Sequence, residues 1–214
     1  MRSETHAVLI ADVVGSSSRS SLRALLGKRL AAASRDHRKR GLIRLPYSVT
    51  AGDEFQTILA DPLQVPEAIL DLRVRLQPLQ LRIGIGFGKI IAPIRPPVNR
   101  LGGPAFQLAR KAIENAKRSG TFHFDILTSL RSENRLFDSA ANLIYGLHDT
   151  LVLRVTRKQW ETIAAYRATR RMESAARRLD IDPSTVSRNL KRACFWQLEQ
   201  TVKGVQALLD KTVF

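Results

Sequence analysis

The apolar run over residues 7–14 constrains the fold more than any other segment, because only Asp12 interrupts it. A run of this length without polar alternation is typical of a central strand that is buried on both faces. A lone carboxylate in such a strand is costly unless it is paired or binds a metal ion. The run therefore predicts a central strand and marks Asp12 as a candidate site residue. Alternatively, Asp12 ends the strand and caps a helix that begins near Ser16.

Strand-like and helix-like segments alternate through the first 130 residues. The patterns predict helices over 16–40, 66–76 and about 102–119, and strands over 47–51, 54–60, 79–91 and 121–127. Gly52 and Asp53, between the second and third strands, are typical of a hairpin turn. The glycines of the segment 79–91 indicate tight packing or the close approach of another backbone.

From about residue 132 glycine and proline become rare, and helical periodicity takes over. Helices are predicted near 156–166, 172–179 and 183–209. This change of character places a domain boundary between about residues 130 and 155. We therefore expect one domain over residues 1–148 and an all-helical domain over residues 149–214.

The segment 173–190 carries the pattern of two short helices joined by a tight turn. Asp182 is a good N-cap and Pro183 a favoured first helical residue, so a helix is expected to begin there. Val186 and Leu190, four residues apart, form its buried stripe. Asp180 stands where glycine is usual in such a turn, and aspartate tolerates the left-handed conformation better than most residues.

The other face of this second helix is suited to DNA. Its outward side chains are short and polar or basic: Ser184, Thr185, Ser187, Arg188 and Lys191. Such side chains contact base edges and phosphates when a helix-turn-helix places its second helix in the major groove. The segment therefore predicts binding to double-stranded DNA. The alternative is an ordinary helical hairpin with a basic face.

The charge of the chain supports an acidic partner. The 214 residues carry a formal net charge of +16, and nucleic-acid phosphate is the commonest partner of so basic a protein. The alternative is a basic surface that only contacts solvent. Cys194 is the single cysteine, which excludes an internal disulfide and a cysteine-rich zinc site. No apolar run approaches the roughly 20 residues of a membrane span, so a cytoplasmic protein without a membrane partner is expected.

A second acidic residue is predicted to lie close to Asp12. If the hairpin packs beside the first strand, Asp53 at its tip meets Asp12, and Glu54 lies next to it. Two carboxylates at close range repel each other, and a divalent cation such as Mg²⁺ relieves the repulsion. Asp53 could instead be a plain turn residue.

Four segments resemble the catalytic domain of class III nucleotide cyclases. LIADVVG (9–15) resembles its first strand, and TAGDEF (50–55) resembles its metal-binding hairpin as well as the hairpin of diguanylate cyclases. LRIGIGFG (81–88) resembles the following strand, and GPAFQLAR (103–110) the helix with catalytic residues. Residues 157–193 resemble region-4-like helix-turn-helix domains of sigma factors, with Trp160 and Ile163 anchoring a small core. The whole arrangement looks most like the SatD family.

This resemblance implies an α+β fold, with a ferredoxin-like cyclase palm followed by an all-α helix-turn-helix domain. Asp12 and Asp53 match the ligands of Mg²⁺ or Mn²⁺, and Arg110 matches the arginine that stabilises the transition state in active cyclases. The positions that match the nucleotide contacts are Val13, Val14, Gly15, Ser16 and Glu54. Two departures argue against ordinary cyclase chemistry, since Phe106 replaces an expected asparagine and Val49 the lysine that reads the base.

The sequence thus favours a DNA-binding transcription regulator whose palm binds a nucleotide and a divalent metal. An active nucleotide cyclase or a related nucleotidyl-transfer enzyme is the alternative. A third possibility is a palm that serves only to form a homodimer, which suits a palindromic DNA site.

Overall fold

The computed structural model describes residues 5–15, 20–91, 93–118 and 126–213, without the side chains of residues 20–22 and 51. The predicted mixed α+β class is confirmed. In chain order the strands and α-helices are β1 (His6–Val13), α1 (Ser20–Lys39), β2 (Ser48–Ala51), β3 (Glu54–Ile58), α2 (Val65–Arg75), β4 (Leu81–Gly88), α3 (Pro104–Lys117), β5 (Thr128–Arg131), α4 (Arg135–Arg154), α5 (Arg157–Thr169), α6 (Met172–Leu179), α7 (Pro183–Arg192) and α8 (Phe195–Thr212). Among the described helices we find none whose length and apolar content would allow it to span a lipid bilayer.

The five strands form one sheet in the order β2-β3-β1-β4-β5. β1 is antiparallel to both β3 and β4, and β5 is parallel to β4. The first four strands and two helices therefore follow the order β-α-β-β-α-β, which places β1 in the middle of the sheet. The predicted central strand is confirmed.

The two faces of β1 pack against different helices. Leu9 and Ala11 contribute to the larger core, which α1 and α2 help to build, whereas Val8 and Ile10 pack with residues of α3. Because side chains alternate along a strand, Asp12 belongs to the same face as Val8 and Ile10. This alternation directs the carboxylate of Asp12 towards α3.

The glycines of β4 let α3 lie directly on the sheet. A Cβ atom on Gly86 would lie 2.2 Å from both the carbonyl oxygen of Ala105 and the backbone nitrogen of Ala109. On Gly84 it would lie 2.4 Å from the backbone nitrogen of Ile113. The close backbone approach predicted for this strand is confirmed, and it fixes where α3 crosses the sheet.

Helices α5, α6 and α7 and the first part of α8 surround a second core. Trp160 and Ile163 are buried there as predicted, together with Val186 and Leu190 of α7. The end of α8 packs into the first core instead, through Val205 and Leu209. The division into domains at residue 148 stays a prediction.

Two predicted elements are wrong in detail. Residues 183–209 form two helices, because Cys194 takes a left-handed conformation (φ 51°) and turns the chain between α7 and α8. This turn lets Leu190 and Phe195 enter the same core. The predicted strand over 121–127 is shifted: residues 126 and 127 precede β5, which runs from 128 to 131, and residues 121–125 lie outside the described part.

Candidate functional site

The end of β1 and the turn between β2 and β3 bring the predicted acidic residues to the same end of the sheet. The register pairs Ala11 with Phe55, so Asp12 and Glu54 are neighbours across the two strands. The backbone N–H of Val13 donates to Asp53 Oδ2 at 3.2 Å. The β2–β3 hairpin therefore lies beside the first strand. Asp53 contacts Val13, the residue that follows Asp12 in the chain.

Two basic residues of α3 complete this cluster of charges. Lys117 Nζ lies 2.8 Å from Asp12 Oδ2 and 3.7 Å from Glu54 Oε2. Arg110 donates from both terminal nitrogens to Glu54, at 2.6 Å to Oε2 and 2.7 Å to Oε1. Burial alone would raise the pKa of Glu54, but the hydrogen bonds and charge of Arg110 outweigh it and lower that pKa.

Sequence reasoning found Arg110 but missed Lys117. The two residues lie seven positions apart on α3, which places them on one face of the helix almost two turns apart. That spacing was the available signal. The approach of Lys117 to Asp12 depends on the crossing of α3 over the sheet, which the sequence pattern does not specify.

The carboxylate of Asp12 is suited to a cation. Asp12 is only 6% exposed, and its Oδ1 accepts no hydrogen bond from the described residues. A buried carboxylate oxygen without a donor is costly, and a hard cation with oxygen ligands would satisfy it. Lys117 already places positive charge against the other oxygen of this carboxylate. Asp12 and Asp53 are the kind of carboxylate ligands that a divalent metal takes, but a metal ion at this place would have to share Asp12 with Lys117.

The turn after β1 has fewer backbone N–H groups open to a phosphate than its resemblance to the cyclase turn implies. The N–H of Val13 donates to Asp53, and the N–H of Val14 donates to the carbonyl of Gln80 at 2.9 Å. These two groups are thus already engaged inside the chain. Gly15 continues the turn with a φ of 72°, and Ser16 lies outside the described residues. A phosphate at this turn would have to use Gly15 or displace existing bonds.

The structure places an apolar side chain at each of the two positions that depart from the cyclase pattern. Phe106 is half-buried and packs against the core on the α3 side of the sheet. Val49 on β2 is 48% exposed. Neither side chain can replace the hydrogen-bonding group that the resemblance leads one to expect.

A separate acidic group lies between α1 and α2. Asp36, His37 and Asp71 are the one set of three metal-ligating side chains in the described ranges whose ligand atoms lie within 4.8 Å of one another. Asp71 is already paired with Arg40, Arg75 and Arg167. Because these guanidinium groups repel a cation, this set is an ion-pair network and not a metal site.

The turn between α6 and α7 has the predicted conformation. Asp180 is left-handed, with φ 54° and ψ 50°. Asp182 Oδ1 accepts a hydrogen bond from the N–H of Ser184 at 2.7 Å, and Pro183 is the first residue of α7. Hydrogen bonds from Ser184 lower the pKa of Asp182, so the cap is a carboxylate at neutral pH.

Helix α7 is buried on one face and exposed on the other. Val186 and Leu190 are fully buried, and Asn189 Nδ2 donates to Thr162 Oγ1 of α5 at 3.1 Å. Four of the five predicted contact residues are exposed, namely Ser184, Ser187, Arg188 and Lys191. The fifth, Thr185, is half-buried and accepts a hydrogen bond from Arg188 Nη2 at 3.1 Å.

Comparison with known proteins places this chain near one family and two solved structures. The model of the SatD family matches residues 6–203. No curated protein matches the chain. A bacterial light-regulated adenylyl cyclase is 14% identical, with a TM-score of 0.38 over 54% of this chain and 71% of that one. A regulator of polyketide synthase expression from Bifidobacterium adolescentis is 16% identical, with a TM-score of 0.28 over 95% of this chain and 80% of that one. Both scores are low, so neither likeness assigns a role to any residue.

Proposed function

We propose, from the premise that this chain belongs to the SatD family, that it is a DNA-binding transcription regulator. Helices α6 and α7 act as a helix-turn-helix, and α7 enters the major groove of double-stranded DNA. The sheet domain binds a divalent metal, Mg²⁺ or Mn²⁺, together with a nucleotide. The observation that carries this proposal is the polar and basic outer face of α7. The N-terminus of this helix is capped, and its inner face is buried in a core.

The chemistry of α7 supports the DNA contact. Arg188 and Lys191 supply positive charge, and the hydroxyl groups of Ser184 and Ser187 can donate to or accept from base edges. The neighbouring face of α6 adds the exposed Arg177 and Arg178, which are suited to phosphate contacts. The side chains that would contact DNA therefore need no rearrangement of the core.

The first expected result concerns Arg188. Replacing it with alanine should weaken specific DNA binding by about 1–3 kcal/mol, because a guanidinium that contacts guanine is lost. Fluorescence anisotropy with duplex fragments from upstream of the protein's own gene, at fixed low salt, measures the effect. Arg44→Ala is the matched control, since Arg44 is an exposed arginine of the sheet domain. Equal affinity loss in both variants, or no duplex binding by the unaltered protein, would contradict the proposal.

The metal-nucleotide part rests on the cluster around Asp12. The buried Oδ1 of Asp12 has no donor among the described residues, and Asp53 accepts from the residue that follows Asp12, which supports a Mg²⁺ ion held by these two carboxylates and shared with phosphate oxygens. When bound, such an ion would neutralise phosphate charge. Arg110 and Lys117 border the same cluster and would add positive charge towards the phosphates.

The second expected result concerns Asp12. Mg²⁺ or Mn²⁺ with a nucleoside triphosphate should raise the melting temperature of the unaltered protein, because a ligand that binds the native state stabilises it. Asp12→Asn should remove this rise, since it removes the ligand charge and keeps the side-chain shape. Asp210→Asn, at an exposed position of α8, is the control. A rise that persists in Asp12→Asn would locate the metal elsewhere.

An active nucleotide cyclase or related nucleotidyl-transfer enzyme is the second candidate. The observation that favours it is that Arg110 pairs with Glu54, which follows Asp53 in the chain and lies across the strands from Asp12. The apolar Phe106 and Val49 disfavour it, since phosphoryl transfer needs positioned polar groups as well as metal. Incubation with each nucleoside triphosphate and Mg²⁺ or Mn²⁺, followed by chromatography of the products, separates the two candidates.

A further inference from the structure

Helix α4 exposes a stripe of leucines although its opposite face is already packed. Leu136 is 75% exposed, Leu143 is 69% exposed and Leu147 is 67% exposed. Their spacing of seven and four residues places them on one face of the helix. The opposite face contributes Phe137 and Tyr145 to the core of the sheet domain. The leucine stripe is therefore not needed to hold α4 in its place.

The exposed surface of α4 carries no charge between its two terminal arginines. Asp138, His148 and Asp149 are the ionisable side chains between Arg135 and Arg154, apart from Tyr145, and all three are buried. This neutral strip stands out on a chain with a formal net charge of +16. A second copy of the same chain could approach along this strip without bringing like charges together.

Gly146, at the edge of the stripe, points to the same face. A Cβ atom at this position would meet nothing within 4 Å, so the described part of the chain does not require a glycine there. A glycine inside a helix costs about 1 kcal/mol relative to alanine. The absence of a side chain here would let another helix approach α4 closely.

The ends of α4 are complementary to each other in charge. Glu133 precedes the helix, Arg154 ends it, and neither forms an ion pair with another described side chain. A two-fold axis through the midpoint between Leu143 and Ile144 would place Glu133 opposite Arg154 of a second copy. The same axis places the two pairs of apolar residues opposite each other, Leu136 with Leu151 and Ala140 with Leu147. A two-fold interface must be self-complementary in this way.

We propose that two copies of this chain form a homodimer by antiparallel pairing of their α4 helices about this axis. The leucine stripe forms the buried centre of the interface, and the pairs between Glu133 and Arg154 close its two ends. Antiparallel pairing also sets the positive N-terminus of each helix beside the negative C-terminus of the other. The interface involves neither α7 nor the cluster around Asp12, so it does not depend on the function proposed above.

Sedimentation velocity without DNA tests the interface. The unaltered protein should sediment as a dimer at micromolar concentration, and Leu143→Glu should sediment as a monomer with an unchanged circular dichroism spectrum. Val49→Glu is the control, because Val49 is an exposed apolar residue on β2, at the sheet edge opposite β5. A monomeric unaltered protein, or a Leu143→Glu variant that dimerises normally, would overturn the proposal.

A charge exchange tests the register of the two helices. Glu133→Arg and Arg154→Glu should each raise the dimer dissociation constant roughly tenfold, because each removes two symmetry-related ion pairs and introduces repulsion. The variant with both changes should regain the dissociation constant of the unaltered protein, since it exchanges the charges and keeps the pairs. If the double variant is as weak as the single ones, the antiparallel register is wrong.

Discussion

Gly86→Ala is expected to lower the free energy of unfolding by about 3 kcal/mol or more. The added methyl group would lie 2.2 Å from backbone atoms of α3, and backbone cannot move aside as the end of a flexible side chain can. Helix α3 would have to lift from β4, which would also displace Lys117 and Arg110 from the acidic cluster. Urea unfolding followed by circular dichroism measures the loss.

The control for this variant is Gly27→Ala in α1. A Cβ atom on Gly27 would meet nothing within 4 Å, so alanine should leave stability unchanged or raise it by about 0.5–1 kcal/mol. The two substitutions add the same atoms in opposite surroundings. A Gly86→Ala variant that unfolds at the same urea concentration as the unaltered protein would show that α3 does not lie this close to β4.

Asp149→Ala is expected to destabilise the fold by about 3–5 kcal/mol, because it leaves a buried positive charge without its partner. Asp149 Oδ1 accepts from Arg73 Nη2 at 3.2 Å, and Oδ2 accepts from the N–H groups of Leu127 and Thr128 at 2.9 and 2.6 Å. Burial lowers the pKa of Arg73, and the charge of Asp149 opposes that shift. Thermal unfolding at pH 7 measures the effect.

A double-mutant cycle separates the charge from the packing. Arg73→Leu combined with Asp149→Leu should cost less than the sum of the two single changes, because no buried charge is left unpaired. Asp210→Ala on the exposed side of α8 should change stability by less than about 0.5 kcal/mol. Additive losses in the cycle would mean that the two residues contribute independently.

The locally encoded parts of the fold could be predicted from the sequence. The apolar run of β1, the turn at Gly52 and Asp53, and the cap at Asp182 each depend on a few adjacent residues, and each is present in the structure. The break between α7 and α8 was missed because Cys194 is not a residue that normally marks a left-handed turn.

The site could be predicted only in part, for a different reason. Asp53 lies at the turn of the β2–β3 hairpin, which is visible in the pattern of residues, and the pairing of β3 with β1 brings this turn to the residue that follows Asp12. Lys117 reaches Asp12 because α3 crosses the sheet at Gly84 and Gly86, which is a matter of packing between distant segments. The engaged N–H of Val14 likewise depends on Gln80, far along the chain.

Helix α8 connects the two hydrophobic cores of the molecule. Its first turns lie in the core that holds α7, and its last turns lie in the core beneath the sheet, with no loop between them to absorb movement. A change in the packing around Val205 and Leu209 would therefore reach the core that holds α7 through one continuous helix.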